Sequence, residues 1–271
     1  MNAAFAFLGR HLATYLSKPL DGDAPVATSN PAALAMALRQ GDVLLVEGNS
    51  RISTAIKYLT QSTWSHAALY TGPLPGRASE TGEPHVLIEA DVVKGVISAP
   101  LSKYTMSHTR ICRPVGISEA EAQALTAFAL ARIGVQYDIR NVVDLARYLM
   151  PTPPVPSRMR RRMIALGSGK PTQAICSTLI AQAFDAIHYP VLPIIEWVKS
   201  APAGMEAEPI PEKMMADLDR EILHIRHYSL YTPRDFDISP FFAIVKPTLE
   251  SGFDYRRLVW APPETAGDAT G

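Results

Sequence analysis

The chain has 271 residues, 47% of them hydrophobic and 19% charged, which excludes wholesale disorder and leaves room for a sizeable core. Its 26 lysines and arginines balance its 26 aspartates and glutamates, so no global field draws in nucleic acid, and a nucleic-acid partner is not expected. Two cysteines do not make a disulfide scaffold, and the seven histidines form no CxxC, HExxH or other metal-like cluster with them, so no metal or other cofactor is expected.

The first twenty residues carry a short apolar piece, Ala3 to Leu8, with no charged region before it and Arg10 interrupting it. A secretory signal is therefore not expected. Phe5, Leu8, Leu12, Tyr15 and Leu16 fall at helical spacing, which predicts an amphipathic helix that either packs on the domain or rests on a membrane surface. Asp21 to Ser29 reads as a linker. Residues 1–29 are thus an extension, and no run of the chain is long enough to span a membrane.

Asn30-Pro31 starts a short helix, a cap residue followed by proline at the first helical position. Val43 to Val46 is a buried strand between Gly41 and Gly48, and Arg51 to Leu59 is helical. Trp64 to Tyr70 is a second strand and His85 to Ala90 a third, with residues 85, 87 and 89 on one face. Lys94-Gly95 turns into a partner strand at Val96 to Ser98, and Arg110 to Pro114 is another. These strands predict a small antiparallel sheet or partial barrel.

Ser118-Glu119-Ala120-Glu121 is a capping box before an alanine-rich helix reaching about Arg132. Ile139 to Leu149 is a further predicted helix. Pro151 to Pro156 is a stiff connector, and Arg158 to Leu166 a short basic helix, within an insert at 151–170. Pro171 and Thr172 then offer a break and a cap before Ile175-Cys176-Ser177. Leu179, Ile180, Ala183, Phe184 and Ile187 give that helix an apolar face. Glu212 to Ile225 is read as one more helix, Phe241 to Lys246 as a late strand that rejoins the sheet, and 264–271 as a disordered tail.

Cys176 stands in the first turn of its helix, where the positive end of the macrodipole favours thiolate. It is either a nucleophile or a small buried apolar residue. His66, inside an apolar strand, is either the base or a core histidine bonded to backbone. Glu89, closing an apolar strand, is either the group that orients the base or a solvated strand end. His85 is the alternative orienter. Cys112 reads as packing, and a bridge between Cys112 and Cys176 remains open on sequence grounds.

The order of these pieces resembles a known family. Gly41-Asp42-Val43-Leu44, Trp64-Ser65-His66-Ala67, Leu87-Ile88-Glu89-Ala90, Gly134 to Asp138 and Ile175-Cys176-Ser177 follow one another as in the circularly permuted papain-like cysteine hydrolases of the YiiX/YaeF type. These belong to the NlpC-type superfamily and are related in order to lecithin retinol acyltransferase-like proteins. The segment Tyr231 to Asp237 before the late strand is similar to the family's closing segment. The resemblance implies an α+β permuted papain-like fold over residues 30–263. It implies Cys176 as nucleophile, His66 as base and Glu89 as orienter, with Tyr137 near the thiol for substrate or oxyanion.

The expected activity is hydrolysis of an amide bond in a small peptide or cell-wall-type substrate through a thioester. The alternatives are an acyl-lipid hydrolase or acyltransferase with the same triad, and an inactive binding module. Residues 1–20 and the basic 158–166 stretch are candidate contacts with a membrane, on a protein expected in the cytoplasm.

Overall fold

The computed structural model describes residues 14–20, 26–136, 175–198, 220–224 and 226–259. Six strands form one antiparallel sheet. They are β1 (Val43–Val46), β2 (His66–Tyr70), β3 (His85–Asp91), β4 (Gly95–Pro100), β5 (Thr109–Pro114) and, near the end of the chain, β8 (Phe242–Val245), in the spatial order β4-β3-β2-β1-β5-β8. The architecture is α+β, with helices packed against an open antiparallel sheet, as the sequence predicts.

Strand alternation divides the side chains between two faces. Val43, Leu45, Ala67, Leu69, Ile88, Ala90 and Cys112 share one face, as the register pairs Val43 with Leu69 and Cys112, and Leu69 with Ile88. They pack in one cluster with helices α2 (Arg51–Thr60), α3 (Glu119–Leu130) and α4 (Ile175–Ala186). Leu44, Ala68, Leu87 and Ile111 share the other face, under helix α1 (Pro31–Ala37). His66 and Glu89 belong to this second face by register, because Val46 pairs with His66 and Ala68 pairs with Glu89.

The caps behave as their sequences dictate. Asn30 accepts from the Ala32 N–H, and Ser118 and Glu121 complete a reciprocal capping box on α3. Helix α4 is buried nearly all round: Ser177, Ile180, Ala183 and Phe184 are all fully enclosed. Phe184 packs in an aromatic group with Tyr189, Phe236 and Phe242, at ring-centroid distances of 5.4, 6.3 and 5.2 Å. Enclosing a phenylalanine of this kind is worth about 1.5–3 kcal/mol. It fixes the helix that carries Cys176 against the late segment of the chain.

The edge strand β4 is extended by the chain after α3. Val96 donates to the Val135 carbonyl at 3.0 Å and accepts from the Gly134 N–H at 2.9 Å. Gly95 makes this approach possible. A Cβ there would lie 2.3 Å from the Val135 oxygen, and the residue holds φ +76°.

Two sequence expectations change, at Glu212 to Ile225 and at His85, and the open question of a disulfide closes. The predicted helix at Glu212 to Ile225 is not helical where it is described. Arg220–His224 is a strand, β7, paired antiparallel with β6 (Ile194–Val198), a strand the sequence pattern did not single out. Main-chain pairing with a partner some twenty residues away outweighs local helical spacing there. Cys112 and Cys176 are both free thiols, so no bridge joins them. A β-bulge between His85 and Leu87 displaces His85 from the simple alternation with 87 and 89.

Of the N-terminal extension, residues 14–20 lie on the domain. Leu16 is buried in the core cluster, and Leu20 donates to the Asn49 carbonyl at 2.9 Å. Residues 1–13, Tyr137, the predicted 139–149 helix, the 151–170 insert with its basic 158–166 stretch, the Pro171-Thr172 cap, residues 212–219 and the 264–271 tail lie outside the described residues. Among the described residues no helix is long and apolar enough to cross a membrane.

Candidate active site

His66 is the first residue of β2, and Glu89 sits diagonally across on β3, whose Ala68 partner is two residues on from His66. Such diagonal neighbours on one sheet face are within reach of long side chains. The His66 Nε2 and the Glu89 Oε2 are 2.8 Å apart. This bond occupies Nε2, which leaves Nδ1 for the thiol. The Cys176 thiol hydrogen-bonds the His66 ring. The structure therefore brings Cys176, His66 and Glu89 together in one line.

Cys176 is the second residue of α4. Its backbone N–H is one of the first four of the helix, which have no acceptor inside it and carry the positive end of the dipole. The sulfur accepts from the backbone N–H groups of Ala67 and Ser177. Ser177 is locked in turn, its hydroxyl donating to the Tyr231 carbonyl at 2.7 Å. The sulfur is 5% exposed as a residue, and the His66 side chain 22%.

The charges of the three groups are coupled. Burial by itself raises the Cys176 thiol, but the imidazolium of His66, its hydrogen bond and the two backbone donors outweigh it, and the thiol falls below its ordinary value. Burial by itself lowers His66. The Cys176 thiolate and then Glu89 outweigh it and raise the imidazole well above its ordinary value. Both shifts run in the direction that favours a thiolate–imidazolium pair.

Glu89 is completely buried, not a solvated strand end. Burial raises its carboxyl, and the hydrogen bond and charge of His66, with the charge of Lys103, outweigh that and hold it well below the usual carboxylate range. Lys103 donates to Oε1, and the Tyr104 hydroxyl donates to Oε2. Both come from one 3-10 turn, Leu101–Tyr104. Sequence reasoning missed this pair. A lysine in a turn after Pro100 has no periodicity to mark it and reads as solvated.

The other candidates are placed elsewhere. His85 bonds Ser98, Nδ1 to Oγ at 2.8 Å, and does not contact His66. Cys112 is fully enclosed in the core, where burial pushes its thiol far up. The described chain after α3 ends at Gln136, whose amide donates to the Lys94 carbonyl at 3.1 Å, one residue before Tyr137. Among the described residues no group of three or more His, Cys, Asp or Glu side chains is arranged to hold a metal ion.

The late segment braces the site. Asp237, at the end of helix α5 (Pro233–Asp237), accepts from the Trp64 indole at 2.9 Å and from Arg110 at 2.5 Å. Arg234 donates to the Thr60 carbonyl at 3.1 Å. Together with the Tyr231 contact to Ser177, these bonds join the strand of His66 to the helix of Cys176.

Residues 37–148 match the C92 family, described as permuted papain-like amidase enzymes, YaeF/YiiX. The match includes His66 and Glu89 and ends before Cys176. The crystal structure of metalloprotein YiiX from Escherichia coli O157:H7 aligns with a TM-score of 0.44 at 16% identity, covering 78% of this chain and 97% of that one. No curated protein matches.

Proposed function

The chain carries the permuted papain-like amidase signature of the YaeF/YiiX family over residues 37–148, and from that premise we propose that it hydrolyses an amide bond in a small peptide-type substrate through a thioester on Cys176. The observation that carries this reading is the continuous hydrogen-bonded line from the Cys176 sulfur through His66 to the buried Glu89 carboxylate.

The steps follow from that line. The Cys176 thiolate attacks the amide carbonyl and an S–C bond forms. The oxyanion lies near the start of α4, with the Cys176 N–H as the proposed first donor and Tyr137 as the proposed second. His66 gives its Nδ1 proton to the departing nitrogen as the C–N bond breaks. A water then gives a proton to the neutral His66 and adds to the thioester. The C–S bond breaks, an acid is released, and the thiolate–imidazolium pair is restored. Throughout, Glu89 holds the Nε2–H and so fixes the tautomer and ring orientation.

A product assay tests the reaction class. The protein is incubated with γ-glutamyl peptides, cell-wall-type peptides and acyl lipids, and acid-quenched samples are read by mass spectrometry. The expected result is a free amine released from a peptide, with an acyl adduct on the peptide containing Cys176. Turnover of the acyl lipids alone replaces the amide reading with ester hydrolysis or acyl transfer. Amine release with the adduct absent and turnover intact in Cys176→Ala contradicts the thioester.

A further inference from the structure

Glu89 is fully enclosed yet receives two cationic partners, where a group that only orients an imidazole needs one. Lys103 meets Oε1, while His66 and Tyr104 share Oε2. The two sides differ in permanence. His66 gains and loses a proton during turnover, whereas Lys103 takes no part in the reaction, and its side chain is 38% exposed. The groups around the imidazole alternate in sign: thiolate from α4, imidazolium from β2, carboxylate from β3, ammonium from the 3-10 turn. Asp91, at the end of β3, adds a negative charge felt at Tyr104 and is itself capped by the N–H groups of Val93 and Lys94.

We propose that Lys103 is the standing counter-ion of Glu89, which lets His66 shed its proton once the Cys176 thiolate has been consumed. In the acyl-enzyme the sulfur carries no charge, so the largest influence holding a proton on His66 is gone. A buried carboxylate with no other cation would itself draw a proton onto the pair, because an unpaired buried charge is costly. Nδ1 would then be blocked and His66 unable to take the proton of the attacking water. With Lys103 in place Glu89 stays an anion, the neutral imidazole keeps its hydrogen on Nε2, and Nδ1 is open. Tyr104 fixes the rotamer of the same carboxylate through its hydroxyl, and its ring lies 5.7 Å from the His66 ring. Lys103 is a positioning residue that acts through Glu89 and touches no reacting atom. The consequence for deacylation rests on reading Cys176 as nucleophile and His66 as base; the charge coupling does not.

The test therefore separates the two. His66 is titrated by NMR of its ring nitrogens in Cys176→Ala, which removes the thiolate and needs no substrate. Adding Lys103→Met or Lys103→Gln is expected to raise the midpoint of the His66–Glu89 pair by about one pH unit, and Lys103→Arg to leave it in place. Gln retains a donor without charge, so either uncharged variant that folds decides the question. An unmoved midpoint in the uncharged variant, or an equal rise in Lys103→Arg, overturns the proposal. With Cys176 restored, the same variants are expected to accumulate the Cys176 acyl adduct at neutral pH and to recover its breakdown at higher pH. A raised midpoint with no adduct in any variant leaves the counter-ion standing and removes the thioester reading instead.

Discussion

Cys176→Ala is expected to lower kcat by roughly four orders of magnitude or more, down to the background of the uncatalysed reaction in the bound state. The size of the effect follows from what is lost. No other side chain among the described residues combines a lowered thiol, two backbone donors at its sulfur and a hydrogen bond to His66. Cys112 does not substitute, since it is sealed in the core between strands with its thiol raised. Alanine at 176 removes a single buried sulfur and leaves the enclosing side chains of α4 in place, so the fold is expected to survive. Cys112→Ala is the matched control, costing about 1 kcal/mol of stability and leaving kcat within a small factor. Steady-state kinetics of the two variants on one amide substrate check the pair.

Glu89→Gln is expected to lower kcat by roughly two to four orders of magnitude, comparable to the loss seen when a carboxylate orienting a catalytic histidine is made an amide. Three contacts change at once. The amide oxygen or nitrogen now faces His66, so the Nε2–H tautomer is no longer enforced. Lys103 faces a neutral group. Tyr104 keeps an acceptor only if the amide turns its oxygen that way. The pH dependence carries a sign. Glu89 contributes to raising His66, so without it the imidazolium is lost at lower pH, and the alkaline limb of kcat/KM moves down. The same holds for stability. His66 is raised in the folded state, so the stabilisation from its pairing is complete below its unfolded value and is lost as pH rises through the folded one. A kcat/KM profile of Glu89→Gln whose alkaline limb stays at the wild-type position contradicts this account.

The three residues of the line were legible because each breaks the pattern around it. His66 and Glu89 interrupt apolar strands, and Cys176 stands at a helix start. Burial explains why the pattern mattered: a carboxylate at 0% exposure must have partners, and a sequence shows the anomaly before it shows the partner. The partners themselves were not legible. Lys103 and Tyr104 lie in a turn of four residues, too short for any period, and they reach Glu89 only because β4 returns alongside β3. Asp237 reaches Trp64 across 173 positions of sequence. The strands Ile194–Val198 and Arg220–His224 escaped for a similar reason, since pairing between distant segments leaves no local spacing in either. The sequence pattern opens β2 at Trp64, two residues before the strand begins. Ser65 accepts from the Gly48 N–H at 2.9 Å, and the Trp64 indole turns to Asp237, so the ladder opens only at His66.

The most direct test of the central claim, a Cys176 thiolate paired with His66 at neutral pH, is the rate of iodoacetamide alkylation as a function of pH. It is measured in Cys112→Ala, with His66→Ala added as the comparison. The structure predicts a reaction whose midpoint lies below about 8.5, the ordinary midpoint of a free cysteine. It predicts that His66→Ala moves the midpoint up. A rate that rises only through the ordinary range, with or without His66, would mean that Cys176 is not activated.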